Sequence, residues 1–368
     1  MVIGALVDVS ASMKSEYTLK RSSDANVQCT HAILTAIRNF ASAVFQKVIP
    51  HVAQECIFVG AFGLSGHTET CDLISLLEIA GKDGHQALTD LVKEHGAPQT
   101  EPWIRKHLSH FEAQILYQRL YSDKSLLSKL IELLPPQETK DIVASGVDTV
   151  NRASEAAVLH WSDASKFAHG IIKLDLKRLE QPTPRPIQNV SKMLIDLLES
   201  KVEDAPSSTS HDQIEEWILA IRPYIFGDTP MCKALNDTGA VFGKMNANSK
   251  VLFILSKGSS MDGDPRPIAQ KLRELGVIIV TLFITSDHID DPRRFFDKAD
   301  PHWDAGKSVL FEMSSIIRNT DPPICYLIDT KWKLPPSGAT HLFLQANTSD
   351  MINEFCKLVV SNIPETNY

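Results

Sequence analysis

The chain lacks the features that would link it to nucleic acid, a membrane or an oxidising compartment. Its 368 residues carry a net charge of −8 and no basic run, which argues against nucleic-acid binding. No stretch approaches the roughly 20 apolar residues of a membrane helix. The N-terminal apolar run ends at Asp8, too early for a signal peptide. The six cysteines form no CxxC pair, so a zinc or redox motif is absent. We therefore expect a cytoplasmic protein that contacts neither nucleic acid nor a membrane.

Common catalytic motifs are also missing. No G-x-G-x-x-G follows a predicted strand, and "FGKMN" at 242–246 has a methionine where a P-loop needs a hydroxyl residue. "GLSG" at 63–66 is one residue too short for a nucleophile elbow. A D-x-D phosphatase motif would need a second acid where this chain has Ser10, so the general acid is absent. These gaps favour a binding function over an enzyme.

Buried strands are the clearest local prediction. Continuous apolar runs at 2–9, 56–62, 250–255, 277–284 and 341–346 are typical of strands covered on both faces. Helices with three-four apolar spacing lie between most of them. Alternating strands and helices predict an α/β fold with a doubly wound, mostly parallel sheet.

A helical block interrupts this alternation. Between about 66 and 205 no convincing strand is present, and the apolar spacing predicts helices throughout. The predicted organisation is a split α/β domain over 1–65 and 207–368, with a helical insertion over 66–206.

Four aromatic residues are spaced along one predicted helix of this insertion. They are Trp103, Phe111, Tyr117 and Tyr121. The spacing predicts the core of a helical bundle, and the alternative is a groove for a helix of a partner protein.

The first predicted strand ends in oxygen donors. Asp8 closes the apolar run, and Ser10 and Ser12 follow at alternate positions. In an open parallel sheet, ligands bind at the carboxyl ends of the strands. Carboxylate and hydroxyl oxygens suit Mg²⁺. Because aspartate and serine are also common at turns and caps, a capped helix entry is the alternative.

A second hydroxyl stands far along the chain, in "GDTPM" at 227–231. Taken alone, Thr229 reads as a helix N-cap with Pro230 at the first helical position. Together the two stretches have the form D-x-S-x-S … G-x-T-P-M, which is far more specific than either part.

These residues resemble the von Willebrand factor type A (vWA) family. The resemblance covers roughly 1–65 and 207–368, and it implies a metal-ion-dependent adhesion site (MIDAS) at the sheet edge. In this chain Asp8, Ser10, Ser12 and Thr229 would be its metal-site residues. The implied cofactor is Mg²⁺, and the implied partner is another protein that completes the metal shell with an acidic side chain. The implied function makes and breaks no covalent bond.

In its third loop, this chain departs from the pattern of the family. "SKG" places Lys257 where the family has an aspartate. At about 4 Å and an effective dielectric near 20, a unit charge pair is worth about 4 kcal/mol, so this exchange should weaken Mg²⁺ binding steeply. Lys257 could extend into solvent or pair with Asp8 in place of the ion. Alternatively, Asp262 or Asp264 could restore the missing charge.

The sequence therefore predicts a non-enzymatic protein-interaction module with a Mg²⁺-dependent or degenerate MIDAS-like site. Lys257 and Asp262 are predicted to modulate that site. The alternative is a Mg²⁺-dependent phosphate-ester hydrolase that uses Asp8.

Overall fold

The chain forms two compact units. One contains residues Met1–Ile74 and Glu180–Tyr368, and the other contains residues Ser75–Leu179; they are called the sheet unit and the helical unit below. The computed structural model describes residues 1–13, 55–64, 69–80, 83–134, 147–190, 192, 225–321, 324 and 331–361.

The sheet unit is built on a mostly parallel sheet, with seven strands in the part of the chain that is described. Their order is β3-β2-β1-β5-β6-β9, and β4 pairs with β2. The strands are β1 Val2–Asp8, β2 Cys56–Phe62, β3 Thr70–Asp72, β4 Arg185–Pro186, β5 Lys250–Ser256, β6 Val277–Ile284 and β9 Phe343–Ala346. A separate antiparallel pair joins β7 Ile316–Arg318 to β8 Ala339–His341.

The central strands are buried on both faces, as their continuous apolar runs predict. All seven residues of β1 are buried, and β1 pairs in parallel with both β2 and β5. On one face, Leu6, Phe58 and Leu252 pack in a core with residues of three helices. Side chains of the opposite face, such as Ile3 and Val251, are also buried.

Four helices of the sheet unit are described by their bounds. They are α7 Met231–Lys244, α8 Arg266–Glu274, α9 Ala305–Met313 and α10 Ser349–Ser361. The first three contribute Phe242, Leu272 and Leu310 to the core. Apolar residues at helical spacing therefore meet the apolar face of the sheet.

The described helices between 73 and 178 are mostly those of the helical unit. They are α1 Leu73–Ala80, α2 Gly84–Glu94, α3 Glu101–His107, α4 His110–Ser122, α5 Lys124–Leu133 and α6 Val147–Arg178. Buried Leu88, Ile104, Leu116 and Leu127 contribute to the core of the helical unit.

The single helix predicted across 103–121 is wrong, because it is divided into α3 and α4. Ser109 starts the second helix with a capping box. The Glu112 backbone N–H donates to Ser109 Oγ at 3.2 Å, and the Ser109 N–H donates to Glu112 Oε2 at 2.8 Å. Such a box satisfies backbone donors that a new helix would leave unpaired.

The prediction of no strand between 66 and 205 is also wrong. β3 and β4 lie within that range and pair antiparallel with β2. Both are three residues or fewer, and such short segments carry no period that a sequence pattern can detect.

The sequence "FEMSSII" at 311–317 also predicts a possible helix, which the structure places differently. Helix α9 ends at Met313, and β7 begins at Ile316. The sequence also predicts a helix that starts at Cys29, a helix over 213–221 and a flexible linker before 212, and all three lie outside the described residues.

No helix in the described ranges has the length and apolar character needed to cross a membrane.

Candidate functional site

The site is built at the carboxyl ends of β1 and β5, which are adjacent in the sheet. Asp8 ends β1 and Ser256 ends β5. The Ser256 hydroxyl donates a hydrogen bond to Asp8 Oδ2 at 2.6 Å, and the Ser10 N–H donates to Oδ1 at 2.9 Å. Asp8 is fully buried, and each of its carboxylate oxygens accepts a hydrogen bond.

The two serines of the first loop lie side by side. Ser10 Oγ and Ser12 Oγ are 2.8 Å apart. Ser10 is buried and precedes the short 3-10 turn Ala11–Met13, and Ser12 lies within that turn and is half-buried. The alternating spacing in the sequence therefore brings both hydroxyls to one point beside Asp8.

The loop that carries Thr229 is bonded to this first loop through the backbone. The Ala11 N–H donates to Gly227 O at 2.8 Å, and the Phe226 N–H donates to Val9 O at 2.8 Å. Phe226 has a φ of 71°, a conformation that non-glycine residues rarely adopt and that clusters at functional sites. Thr229 itself is buried.

The third loop, residues 256–264, is bonded to the Thr229 loop. The Met261 N–H donates to Thr229 O at 2.9 Å. The Asp8–Ser256 hydrogen bond connects the third loop to the first. The three loops, widely separated in sequence, therefore meet at one edge of the sheet. We call this meeting point the cup, defined by Asp8, Ser10, Ser12, Thr229 and Lys257.

The alternative interpretation, in which Thr229 caps the helix with Pro230 at its first position, does not match the structure. Helix α7 begins at Met231, Pro230 occupies the N-cap, and no N-cap side chain bonds the helix end. Asp262 of the third loop takes that role. The N–H groups of Cys232 and Lys233 donate to its carboxylate at 3.0 and 2.8 Å.

The acidic residues after Lys257 are engaged elsewhere. Asp262 accepts from the helix end and from the Ser260 hydroxyl at 3.1 Å. Asp264 is paired with Arg266, with an Oδ1–Nε distance of 2.8 Å. The hypothesis that one of these carboxylates replaces the missing third-loop aspartate gains no support from these contacts.

The positive charge of Lys257 affects the pKa of the Asp8 carboxyl. Burial raises the pKa of the Asp8 carboxyl above its ordinary value. Hydrogen bonds from Ser10 and Ser256 and the positive charge of Lys257 oppose that rise. Lys257 is half-buried, so its charge is less screened than on an open surface. A positive charge near a buried carboxyl favours its ionised form.

Two glycines hold these loops at close approach. Gly63 has a φ of +91°, and a Cβ there would lie 2.5 Å from the Ser10 backbone nitrogen. Gly258, after Lys257, has a φ of +78°, and a Cβ would lie 2.0 Å from Gly306 O. Larger residues would displace the first loop and the third loop respectively.

The residues missed from the sequence are Ser256, Gly63 and Met261. Ser256 follows an apolar strand as Asp8 does, and that shared signal could have identified it. Met261 has 71% of its surface exposed beside the cup's backbone contacts, and no pattern in the sequence distinguishes it.

The cup fits Mg²⁺ in the spacing of its oxygens but not in its charge. Octahedral Mg²⁺ with bonds of 2.0–2.1 Å places adjacent ligand oxygens about 2.9 Å apart, and the Ser10–Ser12 hydroxyl distance of 2.8 Å matches this spacing. The charge does not match, because Lys257 takes the place of an acid. Within the described ranges, no group of three histidine, cysteine, aspartate or glutamate side chains could hold a metal ion.

No family model matches the chain, and no curated protein matches it. Two crystal structures of the pilus adhesin SpaC from Lactobacillus rhamnosus GG, one of them in an open conformation, are similar to the chain. Each has a TM-score of 0.39 and 9% identity over 98% of this chain. The chain spans 30% and 29% of the length of those two adhesin chains.

Proposed function

We propose that the sheet unit is a vWA-type protein-interaction module that binds an acidic side chain of a partner protein at the cup. The observation that carries this proposal is the direct bonding of three sequence-distant loops at the carboxyl edge of the sheet. This edge is where open α/β sheets bind their ligands.

Lys257 supplies the cation of the cup in this proposal. Its ammonium has three donors, so it can serve Asp8 and an incoming carboxylate together. In this proposal the half-buried Ser12 hydroxyl is a neutral donor to the same incoming carboxylate. Charge-assisted hydrogen bonds of this kind are roughly twice as strong as neutral ones. The module is thus a degenerate MIDAS, in which a fixed ammonium replaces the ion.

The Met261 side chain indicates the kind of partner residue that would lie beside the partner's carboxylate. This side chain is largely exposed, while the Met261 N–H is held by Thr229 O at 2.9 Å. A methionine adapts its shape to varied apolar surfaces. We therefore expect the partner to present an apolar residue beside the carboxylate.

The burial of Asp8 argues against the phosphate-ester hydrolase. A nucleophilic carboxylate must touch its substrate, but Asp8 is fully buried and its two oxygens accept from Ser10 and Ser256. An assay with p-nitrophenyl phosphate and Mg²⁺ tests the alternative. Turnover that is abolished in Asp8→Asn would favour the hydrolase over the interaction module.

A peptide array tests the acidic preference. The full chain is presented with random peptides that carry a central aspartate or glutamate, and with the same peptides carrying asparagine or glutamine. The wild type should retain the acidic members selectively, Lys257→Gln should lose that selectivity, and Lys257→Arg should keep most of it. Lys298→Gln, at an exposed loop lysine, is the control that should behave as wild type. Equal retention of acid and amide peptides by the wild type would overturn the proposal.

Calorimetry with Mg²⁺ alone tests the role of the lysine. Lys257→Asp should bind Mg²⁺ at least about tenfold more tightly than the wild type, which corresponds to 1.4 kcal/mol or more. Equal affinities in the two proteins would mean that Lys257 does not control the cup. Tight binding by the wild type would favour the Mg²⁺-dependent form of the site.

A further inference from the structure

The helical unit contains a groove between one face of α3 and one face of α6. Its volume is about 740 Å³, within the range typical of ligand sites. The residues that matter below are Trp103, Lys106 and His107 on α3 and Trp161, Lys166 and His169 on α6.

The floor of the groove is aromatic. The rings of Trp103 and Trp161 are stacked, with centroids 5.7 Å apart and planes at 19°, and His107 lies 6.0 Å from the Trp103 ring. Trp103 is buried and Trp161 is half-buried. The Trp103 indole N–H is buried with no acceptor among the described residues.

The groove is about as long as two turns of a helix. On α6 its lining recurs at Trp161, Ser165 and His169, which is one face of a helix at spacing of four. At 1.5 Å per residue this face is about 12 Å long, or two helical turns. A short helix laid along α3 and α6 would match that length.

The charge of the groove selects an acidic occupant. No aspartate or glutamate belongs to its described lining, whereas Lys106 and Lys166 do. Lys106 makes no ion pair with any described residue. Lys166 approaches Asp163 at 3.3 Å, but both side chains are mostly exposed, so this pair contributes little.

We propose that this groove binds an amphipathic helix from a partner protein, with its apolar face on the two tryptophans and its acidic residues against the two lysines. This is the helix-in-groove mode of recognition. It is a second binding site, independent of the cup.

A labelled peptide titrated into the full chain tests the proposal by fluorescence anisotropy. The probe is a 15-residue helical peptide with leucines at i, i+3, i+4 and i+7 and glutamates on both flanks. Its matched partner has lysine at each glutamate. The acidic peptide should bind at least about tenfold more tightly than the lysine peptide.

Three variants locate the binding. Trp161→Ala and Lys106→Glu should each weaken the acidic peptide about tenfold. Since Lys106 is exposed, its variant keeps the test valid if Trp161→Ala fails to fold. Lys173→Glu, also exposed on α6 but outside the groove lining, should leave binding near the wild-type value.

Two outcomes at the groove would overturn the proposal, and a third would come from a variant at the cup. One is no preference for the acidic peptide over the lysine peptide, which includes no binding of either. The other is unchanged affinity in Lys106→Glu. Lys257→Gln separates the two sites, because it should leave this affinity unchanged. A loss of binding in that variant would assign the peptide to the cup and reject the groove.

Discussion

At the residue scale, the buried carboxylate of Asp8 governs the cup. Burial disfavours its charged form, and Lys257 favours it. Lys257 therefore contributes to the stability of the fold as well as to the proposed binding. The two contributions can be separated, because only the first depends on the protonation of Asp8.

Lys257→Gln should destabilise the protein at pH 7 and leave its stability nearly unchanged at low pH. The folded-state pKa of Asp8 is already raised above its ordinary value of 3.8, and loss of the lysine raises it further. A carboxyl group whose pKa is raised in the folded state costs no stability at a pH below its unfolded-state pKa. The loss of stability grows as the pH rises above that unfolded-state pKa. The cost of the substitution should therefore be largest at the highest pH measured. Urea unfolding from pH 3 to 8 measures it, with Lys298→Gln as the control. A pH-independent difference would contradict the coupling.

Gly63→Ala should cost more stability than Gly276→Ala, although both glycines have positive φ. An alanine at Gly63 would meet the Ser10 backbone at 2.5 Å, whereas nothing lies within 4 Å of a Cβ at Gly276. The control should lose about 1 kcal/mol from backbone conformation alone. Gly63→Ala should lose about 2–3 kcal/mol, since strain of the first loop is added. Equal losses in thermal unfolding would mean that the first loop adapts freely.

The sequence predicts the residues of the cup only where they belong to local patterns. Asp8, Ser10 and Ser12 follow one strand at alternate positions, so their proximity is local. The hydrogen bond from Ser256 to Asp8 spans 248 positions and depends on strand order, which periodicity does not give. The helix-capping role of Asp262 could not be predicted from the sequence pattern either, because its partners are 29 and 30 positions away.

At the element scale, helix α7 is held by a residue from another loop. Asp262 accepts two N–H groups at the helix start, where the helix dipole favours a negative charge. This bond also fixes the segment that carries Thr229.

Asp262→Ala should destabilise the protein by about 1 kcal/mol, the usual cost of a lost cap, and should also weaken acidic-peptide binding at the cup. Asp123→Ala is the matched control. Asp123 likewise accepts two N–H groups, at the start of α5 in the helical unit. The control should lose similar stability in chemical unfolding and keep cup binding. Unchanged cup binding in Asp262→Ala would show that the cap does not position the Thr229 loop.

The elements predicted well are those with long uniform patterns. The central strands β1, β2, β5 and β6 follow their apolar runs to within about a residue. Those predicted badly depend on distant pairing or on a cap. Strand β3 exists because it pairs with β2. The break between α3 and α4 exists because of the Ser109 box, inside an apolar pattern that continues across it.

At the scale of the whole molecule, the sheet unit is interrupted by 75–179. Its two flanks are bonded to each other within the sheet unit. Thr70 Oγ1 donates to Glu180 O at 3.1 Å, and buried Asp72 accepts from the Thr183 N–H at 2.7 Å and from Arg185 at 2.8 Å. The chain therefore leaves and re-enters the sheet unit at nearly the same place.

Replacing 75–179 by about eight glycine and serine residues should leave a folded sheet unit. Such a linker spans about 16 Å on average, which is sufficient because the flanks are already joined by Asp72. The shortened chain should unfold cooperatively and keep its Lys257-dependent preference for acidic peptides. It should lose binding of the acidic helical peptide assigned to the groove. Asp72→Asn, introduced into the shortened chain, should lower its stability by about 3 kcal/mol, because the partly buried Arg185 charge loses its partner.

Two results would contradict this division of the molecule. A shortened chain that fails to fold would mean that the sheet unit needs the helical one for stability. A chain that folds but binds acidic and amide peptides equally would mean that the cup requires residues of 75–179. Circular dichroism and the peptide array applied to the same sample distinguish the two. Retention of both folding and acid preference would assign the cup to the sheet unit alone, since the hydrogen bonds that assemble it all lie within that unit.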